Sequence, residues 1–213
     1  MKVVEIFNSI EGEGIRAGYR CTFIRLYGCN LNCSYCDTRY GCEENNYEVM
    51  SIEEIIKKVS TYDCNMITIT GGEPMIHPGI KNLVRALCRL DYKINIETNG
   101  TIERPIDFPI GITFTMDYKC PTSKMEDKMS LGNVDSLLAT DVLKFVVGCK
   151  DDLNKALQIT ESMNSVPTIY ISPVFGNIEL EDIVNYMNTH YINNWRIQAQ
   201  LHKIIWDPQK RGV

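Results

Sequence analysis

The chain lacks the features that would take it to a membrane or to nucleic acid. No apolar run approaches the ~20 residues of a membrane span, and Met1-Lys2-Val3-Val4-Glu5 shows neither the apolar core nor the cleavage site of an export signal. A cytosolic protein is therefore expected. Positive charge is in the minority: 22 Lys and Arg face 27 Asp and Glu, for a net charge of -5. That excludes general binding to a nucleic-acid backbone. The sequence has no internal repeat, no low-complexity tract and no linker rich in Pro, Gly or Ser. With 213 residues, a single domain spanning 1–213 is expected. Hydrophobic residues at 44% and charged residues at 23% exclude a disordered or fibrous chain.

Cysteine is plentiful. Nine occur, at positions 21, 29, 33, 36, 42, 64, 88, 120 and 149. The odd count and the missing export signal argue against a disulfide frame and for thiolates in a reducing compartment. Three are clustered and the other six are scattered, for which burial is the default.

Short β-branched runs alternate with amphipathic ones. Residues 2–7, 21–27, 66–70, 92–97, 111–116, 142–147, 168–172 and 195–198 read as strands. Helices are expected from Ser51 and at about 79–90, 151–163 and 179–190. The first begins with a capping box, Ser51-Ile52-Glu53-Glu54, ahead of Ile55, Ile56 and Val59. Strands separated by helices imply βαβ units. A closed barrel of eight such units needs about 250 residues. An α/β fold is expected, an incomplete, open barrel of about six parallel strands, with a flat doubly wound sheet as the alternative. In both, ligands gather at the C-terminal strand ends. The unusual residues fall there: Cys29 to Cys36, Gly71 to Pro74, Glu97 to Gly100 and Asp117 to Pro121.

Gly28-Cys29-Asn30-Leu31-Asn32-Cys33-Ser34-Tyr35-Cys36 places three thiols in one short loop directly after a strand. Such a loop can wrap one soft metal centre, either zinc or an iron–sulfur cluster. Three ligands on a four-iron cluster leave one iron open for chemistry, whereas Cys42 or Cys21 would complete a structural zinc site.

The C-x3-C-x2-C spacing resembles that of the radical S-adenosylmethionine (SAM) superfamily. Gly71-Gly72-Glu73-Pro74 resembles its GGEP motif, and Glu97-Thr98-Asn99-Gly100 its strand-end motif. The resemblance implies a [4Fe–4S] cluster on Cys29, Cys33 and Cys36, with SAM on the open iron. It implies SAM contacts from Gly71, Gly72, Glu73, Thr98 and Asn99, and an aromatic near adenine at Tyr35. Lys119 and Ser172, each at a strand end, are further SAM candidates; for Lys119 the alternative is a surface lysine.

Both ends of the chain narrow the resemblance. Ser9-Ile10-Glu11-Gly12-Glu13-Gly14, Thr22-Phe23-Ile24-Arg25-Leu26-Tyr27-Gly28 and Gln200-Leu201-His202-Lys203 are similar to segments of the 7-carboxy-7-deazaguanine synthases. Glu11 is a departure, standing where glutamine is usual. This resemblance implies a pterin substrate, 6-carboxy-5,6,7,8-tetrahydropterin, contacted by Ile10, Glu11, Gly12, Glu13, Gly14, Arg25, Gln200, His202 and the terminal Val213. Arg25 lies in an apolar strand and needs a partner: a substrate carboxylate, or a core Glu or Asp. Thr38, with Asp37 beside it, is the implied Mg2+ ligand, oxygen donors being suited to that ion. The implied reaction is a radical ring contraction with loss of ammonia on the way to queuosine, primed by flavodoxin or ferredoxin in a homodimeric enzyme. A glycyl-radical activating enzyme shares the cysteine spacing and is the first alternative; a zinc-binding structural module is the second.

Overall fold

The computed structural model describes every residue except 106 and 209. Strand β1 (Lys2–Ile10) pairs antiparallel with β2 (Arg20–Leu26), and a two-residue strand β3 (Glu48–Val49) pairs antiparallel with the other edge of β1. Helix α1 (Ile52–Ser60) starts at the expected capping box: Ser51 Oγ accepts from Glu54 N, and the Glu54 carboxylate accepts from Ser51 N. There follow β4 (Met66–Gly71), α2 (Ile80–Cys88), β5 (Lys93–Thr98), β6 (Thr113–Tyr118), α3 (Leu131–Asp135), β7 (Val142–Val147), α4 (Lys150–Ser162), β8 (Thr168–Pro173), α5 (Leu180–Thr189), β9 (Trp195–Ile197) and α6 (Leu201–Ile205).

Among the described residues all strands share one nine-stranded sheet in the order β3-β1-β2-β4-β5-β6-β7-β8-β9. From β2 through β9 every pairing is parallel, so the open α/β expectation holds with one more parallel strand than the six anticipated and two antiparallel strands added. The direction of β1 has a simple cause. Residues 11–19 join it to β2, and a parallel crossover needs a dozen residues or more.

The parallel strands alternate in chemistry. Ile24 and Leu26, Ile67 and Ile69, Ile94 and Ile96, Phe114 and Met116, Leu143 and Phe145, and Ile169 and Ile171 belong to the buried apolar core, into which Leu83, Val84, Leu87, Leu153, Ala156 and Ile183 of the helices also pack. The intervening residues are Arg25, Thr68 and Thr70, Asn95 and Glu97, Thr115 and Asp117, Lys144, and Tyr170 and Ser172. Strands of parallel sheets are usually apolar on both faces. Here the face turned from the helices is polar, and most of these residues line a single large cavity.

The sheet does not close between β9 and β1, but one side chain spans the gap. Gln198, just past β9, accepts from Gly14 N at 2.7 Å and donates to Gly14 O at 3.1 Å. Leu201 N donates to Gly12 O at 3.1 Å, which ties the start of α6 to the same loop. Gly14 has φ +75°, a conformation that suits glycine.

Candidate active site

The cavity has a volume of about 1000 Å³ and opens at the C-terminal strand ends. Its walls include Cys29, Cys33 and Cys36 with Tyr35, Asp37 and Thr38; Gly71 and Gly72; Thr98 and Asn99; Lys119; Ile10, Glu11, Gly12 and Glu13; Arg25; and Gln200, His202 and Val213. Three residues expected there do not line it: Glu73, Gly14 and Ser172. Each is packed one layer behind.

The thiol loop is tied down at its middle. Ser34 N donates to Ser123 O at 3.1 Å, and Arg39 donates to the carbonyls of Cys33 and Ser34 at 3.2 and 3.1 Å. Cys29 Sγ accepts from Leu31 N at 3.4 Å and from the Asn99 amide at 3.8 Å. Burial pushes the Cys29 and Cys33 thiols up; those two donors, and Lys119 for Cys33, pull them back toward thiolate. All three cysteines are free. Among the described residues no three His, Cys, Asp or Glu side chains converge on a single-ion position. Cys21, one of the two cysteines that would complete a zinc site, is fully buried and donates to Thr68 Oγ1 at 3.4 Å. Three free thiols facing one cavity fit the donor set of an iron–sulfur cluster.

The GGEP turn carries the close approach that makes glycine necessary. A Cβ on Gly72 would run into the carbonyl of Gly28, and one on Gly71 into the backbone of Leu26. Glu73 is fully buried. Its Oε1 accepts from Met75 N at 2.9 Å and Thr98 Oγ1 at 2.8 Å, and its Oε2 from Asn99 N at 2.6 Å. The carboxylate thus straps the end of β4 to the end of β5, and both of its oxygens are engaged within the protein. Burial pushes it above the ordinary range against those three donors.

Charge is concentrated on the concave face. Glu13 accepts from Lys144 Nζ at 3.0 Å, Ser172 Oγ at 3.1 Å and Gln200 Nε2 at 3.2 Å. Burial alone would raise Glu13, but Lys144, His202 and Gln200 together hold it below the ordinary range. Lys144 also lies 3.6 Å from Asp117, which pairs with Lys119 at 3.0 Å. Against the cost of burial, Glu13, Asp117 and Glu97 hold Lys144 well above the ordinary lysine range. Lys119 is therefore a cavity residue, not a surface lysine. Two buried polar atoms near it have no hydrogen-bond partner among the described residues, Asp117 Oδ1 and the Tyr35 hydroxyl.

Arg25 resolves its two alternatives in part. Its Nε donates to Glu5 Oε1 at 2.7 Å, and the Tyr40 hydroxyl donates to the same oxygen at 2.8 Å. Among the described residues no acceptor is bonded to its terminal nitrogens. The guanidinium is thus fixed by a core carboxylate and still faces the cavity. Glu11 sits deeper, 2% exposed, with Thr68 Oγ1 donating to its Oε1. Glu97 accepts from Thr70 Oγ1 at 2.7 Å. Phe7 and Phe23, stacked with ring centroids 5.0 Å apart, form the apolar part of the wall.

The C-terminal segment lies across the mouth. The His202 ring packs so closely over Gly12 that a Cβ there would collide with Nδ1. Lys203 pairs with Asp37 at 3.2 Å, and Arg211 stacks 4.1 Å from the Tyr40 ring centroid. Asp37 is thereby engaged by a lysine. Thr38 Oγ1, 3.7 Å from Cys36 Sγ, is the hard oxygen in the loop not taken by an ion pair.

The Radical SAM superfamily model matches residues 23–108. A 7-carboxy-7-deazaguanine synthase of Clostridium acetobutylicum is 45% identical, over 100% of this chain and 99% of its own length. The chain belongs to the 7-carboxy-7-deazaguanine synthase family. A second synthase, from Methanospirillum hungatei, is 39% identical over 98% of this chain and 86% of its own. The crystal structure of QueE from Escherichia coli superposes with a TM-score of 0.77 at 22% identity, covering 93% of both chains. That likeness supports the fold. As a member of this family the chain is a radical SAM enzyme acting on a small molecule, with a [4Fe–4S] cluster and SAM implied as cofactors. The zinc module and the glycyl-radical activating enzyme are not favoured. Among the described residues no helix is long and apolar enough to cross a membrane.

Several further cavity residues lie outside the motifs or have no role assigned by them. Lys144 stands alone in Val142-Leu143-Lys144-Phe145-Val146-Val147, and a lysine inside a buried strand is itself a signal. Glu97 and Asp117 occupy the same polar phase of their strands. Phe7 and Phe23 carry no local signal.

Proposed function

We propose that the chain converts 6-carboxy-5,6,7,8-tetrahydropterin to 7-carboxy-7-deazaguanine with release of ammonia. The observation that carries this reading is Arg25. A guanidinium fixed through Nε, with its fork toward the cavity, suits a carboxylate ligand, and it shares that cavity with Glu13 and Glu97. These two carboxylates can accept hydrogen bonds from ring and exocyclic N–H groups. Phe7 and Phe23 offer an apolar surface to a flat heterocycle. A protein-backbone substrate would have no use for this set.

Cys29, Cys33 and Cys36 would hold the cluster, and Tyr35, Gly71, Gly72, Thr98, Asn99 and Lys119 would surround SAM. Glu73 and Ser172 would act from behind, Glu73 by fixing the turn and Ser172 by orienting Glu13. Ile10, Gly12 and Gly14 supply backbone to the substrate's loop, and Gln200, His202 and Val213 cover it. The cluster and SAM supply, when bound, the radical that takes a hydrogen atom from the substrate. Thr38 would hold Mg2+, which needs only one or two protein oxygens beside water and ligand oxygens; Asp37 instead anchors Lys203. We further propose one domain over residues 1–213, supported by the single sheet and core, and a cytoplasmic homodimer reduced by a flavodoxin or ferredoxin, which the family resemblance supports.

The experiment is anaerobic turnover of the reconstituted protein, compared with an Arg25→Met variant. The wild type should form 7-carboxy-7-deazaguanine. Loss of the buried fork should lower kcat/KM for the pterin by roughly 100-fold or more. Equal turnover by the variant would remove Arg25 from the substrate's carboxylate, and reductive SAM cleavage without product would move the reading to a protein substrate.

A further inference from the structure

Two carboxyl groups of the concave face, Glu11 and Glu97, are placed differently. Glu97 faces Lys144 and Arg25 across the cavity and accepts from Thr70 Oγ1 at 2.7 Å. Glu11 has no ion pair among the described residues. Its carboxyl touches the Thr68 hydroxyl, which accepts in turn from the Cys21 thiol at 3.4 Å. The cation nearest it, Arg16, spends its guanidinium on the carbonyls of Lys93 and Ile94, at 3.2 Å each. Glu11 is thus a buried acid among neutral groups, opposite a second carboxylate.

We infer that Glu11 stands in the cavity as a neutral carboxylic acid and donates a hydrogen bond to the bound heterocycle, opposite the carboxyl group of Glu97. The arrangement divides the labour. Glu13 and Glu97 accept from N–H groups of the ligand, and Glu11 presents O–H to an acceptor such as a carbonyl or ring nitrogen. Thr68, its hydroxyl donating to Glu11 Oε1, fixes which oxygen serves as acceptor and leaves the other for the proton. A buried acid beside a like charge keeps its proton unless a cation compensates, and here no cation is in contact. Burial first, and Glu97 second, push Glu11 up to about 8, with Thr68, Arg16 and Cys21 opposing. The donor is thus present at neutral pH and is lost as pH climbs through that value. The donor role rests on the pterin reading; the protonation state does not.

The test has two parts. The first is an infrared titration of the reconstituted wild-type enzyme, with Glu11→Gln as the difference reference. A protonated-carboxyl stretch that disappears near pH 8 and is missing in the variant is expected. Thermal unfolding of the two proteins from pH 5 to pH 9 gives an independent reading. The folded wild type holds a proton that the unfolded chain releases above about 4.3. Its midpoint should therefore fall relative to Glu11→Gln as pH rises through that window and level off above 8. No such band together with parallel unfolding curves would overturn the inference. The second part is KM for the pterin: a rise of about tenfold per pH unit above 8 in the wild type, and none in Glu11→Gln, whose amide keeps an N–H. A flat wild-type KM would overturn the donor role. If neither protein forms product while the band titrates as stated, the pterin reading fails and the protonation state stands.

Discussion

Replacing Lys144 by methionine should cost more stability than any other single change on the concave face that leaves the backbone alone. The ammonium is 3.0 Å from Glu13 and 3.6 Å from Asp117, and the Lys144 and Glu13 side chains are only 9% and 12% exposed. Both members of the pair are shifted toward their charged forms, Lys144 well above its ordinary value and Glu13 below. Removing the cation strands a carboxylate that keeps only the Ser172 hydroxyl and the Gln200 amide. Breaking a buried pair in this way costs about 3–5 kcal/mol. At roughly 2–4 °C per kcal/mol for a chain of this size, the midpoint should fall by about 6–20 °C. The assay is reversible unfolding of Lys144→Met, Glu13→Gln and the double variant, each followed by circular dichroism. The double variant leaves no buried charge unpaired at this point, so it should be more stable than Lys144→Met alone, with a coupling of about 1 kcal/mol or more. The pH dependence has a fixed sign. Depression of Glu13 contributes stability above about pH 4.3 that is lost as pH falls through the lower folded value. Without Lys144, the largest of the groups that hold Glu13 down, that contribution shrinks, and the gap between wild type and variant should narrow in acid. A Lys144→Met midpoint within 2 °C of wild type, or strictly additive single variants, would refute the argument that this pair is a coupled, buried unit.

Two further outcomes follow from packing and ligand count. Gly72→Ala places a methyl group against the Gly28 carbonyl, so the variant should lose at least ~3 kcal/mol and accumulate as unfolded chain, which soluble yield and circular dichroism would report. Cys33→Ala should abolish the brown colour and the bound sulfide after anaerobic reconstitution while leaving the circular dichroism spectrum of the fold intact; retention of full iron and sulfide would remove Cys33 from the ligand set.

The sequence was most informative where structure is locally dictated. Ser51 and Glu54 announce α1 because both halves of the capping box lie within one turn. The thiol loop, the GGEP turn and Glu97 to Gly100 were found at strand ends because the alternation of strands and helices determines where loops fall. Direction and depth were harder. The antiparallel β1 follows from the length of the 11–19 connection, a signal present in the sequence. Glu73 reads as a ligand contact from its motif, yet its oxygens are filled by Met75, Thr98 and Asn99, the last two brought to it by an adjacent strand. The carboxylate of Glu13 is surrounded by Lys144, Ser172 and Gln200, and Gln198 reaches Gly14 across 184 positions. No local pattern encodes such distant meetings; they exist only once the sheet curls and its polar phase faces inward. Lys144 is the exception that could have been read, since an unpaired charge inside an apolar strand demands a partner.

The most direct test of the whole account is product stoichiometry in one anaerobic reaction. Reconstituted enzyme, reductant, Mg2+ and excess 6-carboxy-5,6,7,8-tetrahydropterin would be combined with SAM well below the pterin concentration, and both products quantified by mass spectrometry and an ammonia assay. The account predicts 7-carboxy-7-deazaguanine and ammonia in equal amounts, each exceeding the SAM supplied. SAM cleavage with the pterin unchanged would contradict it.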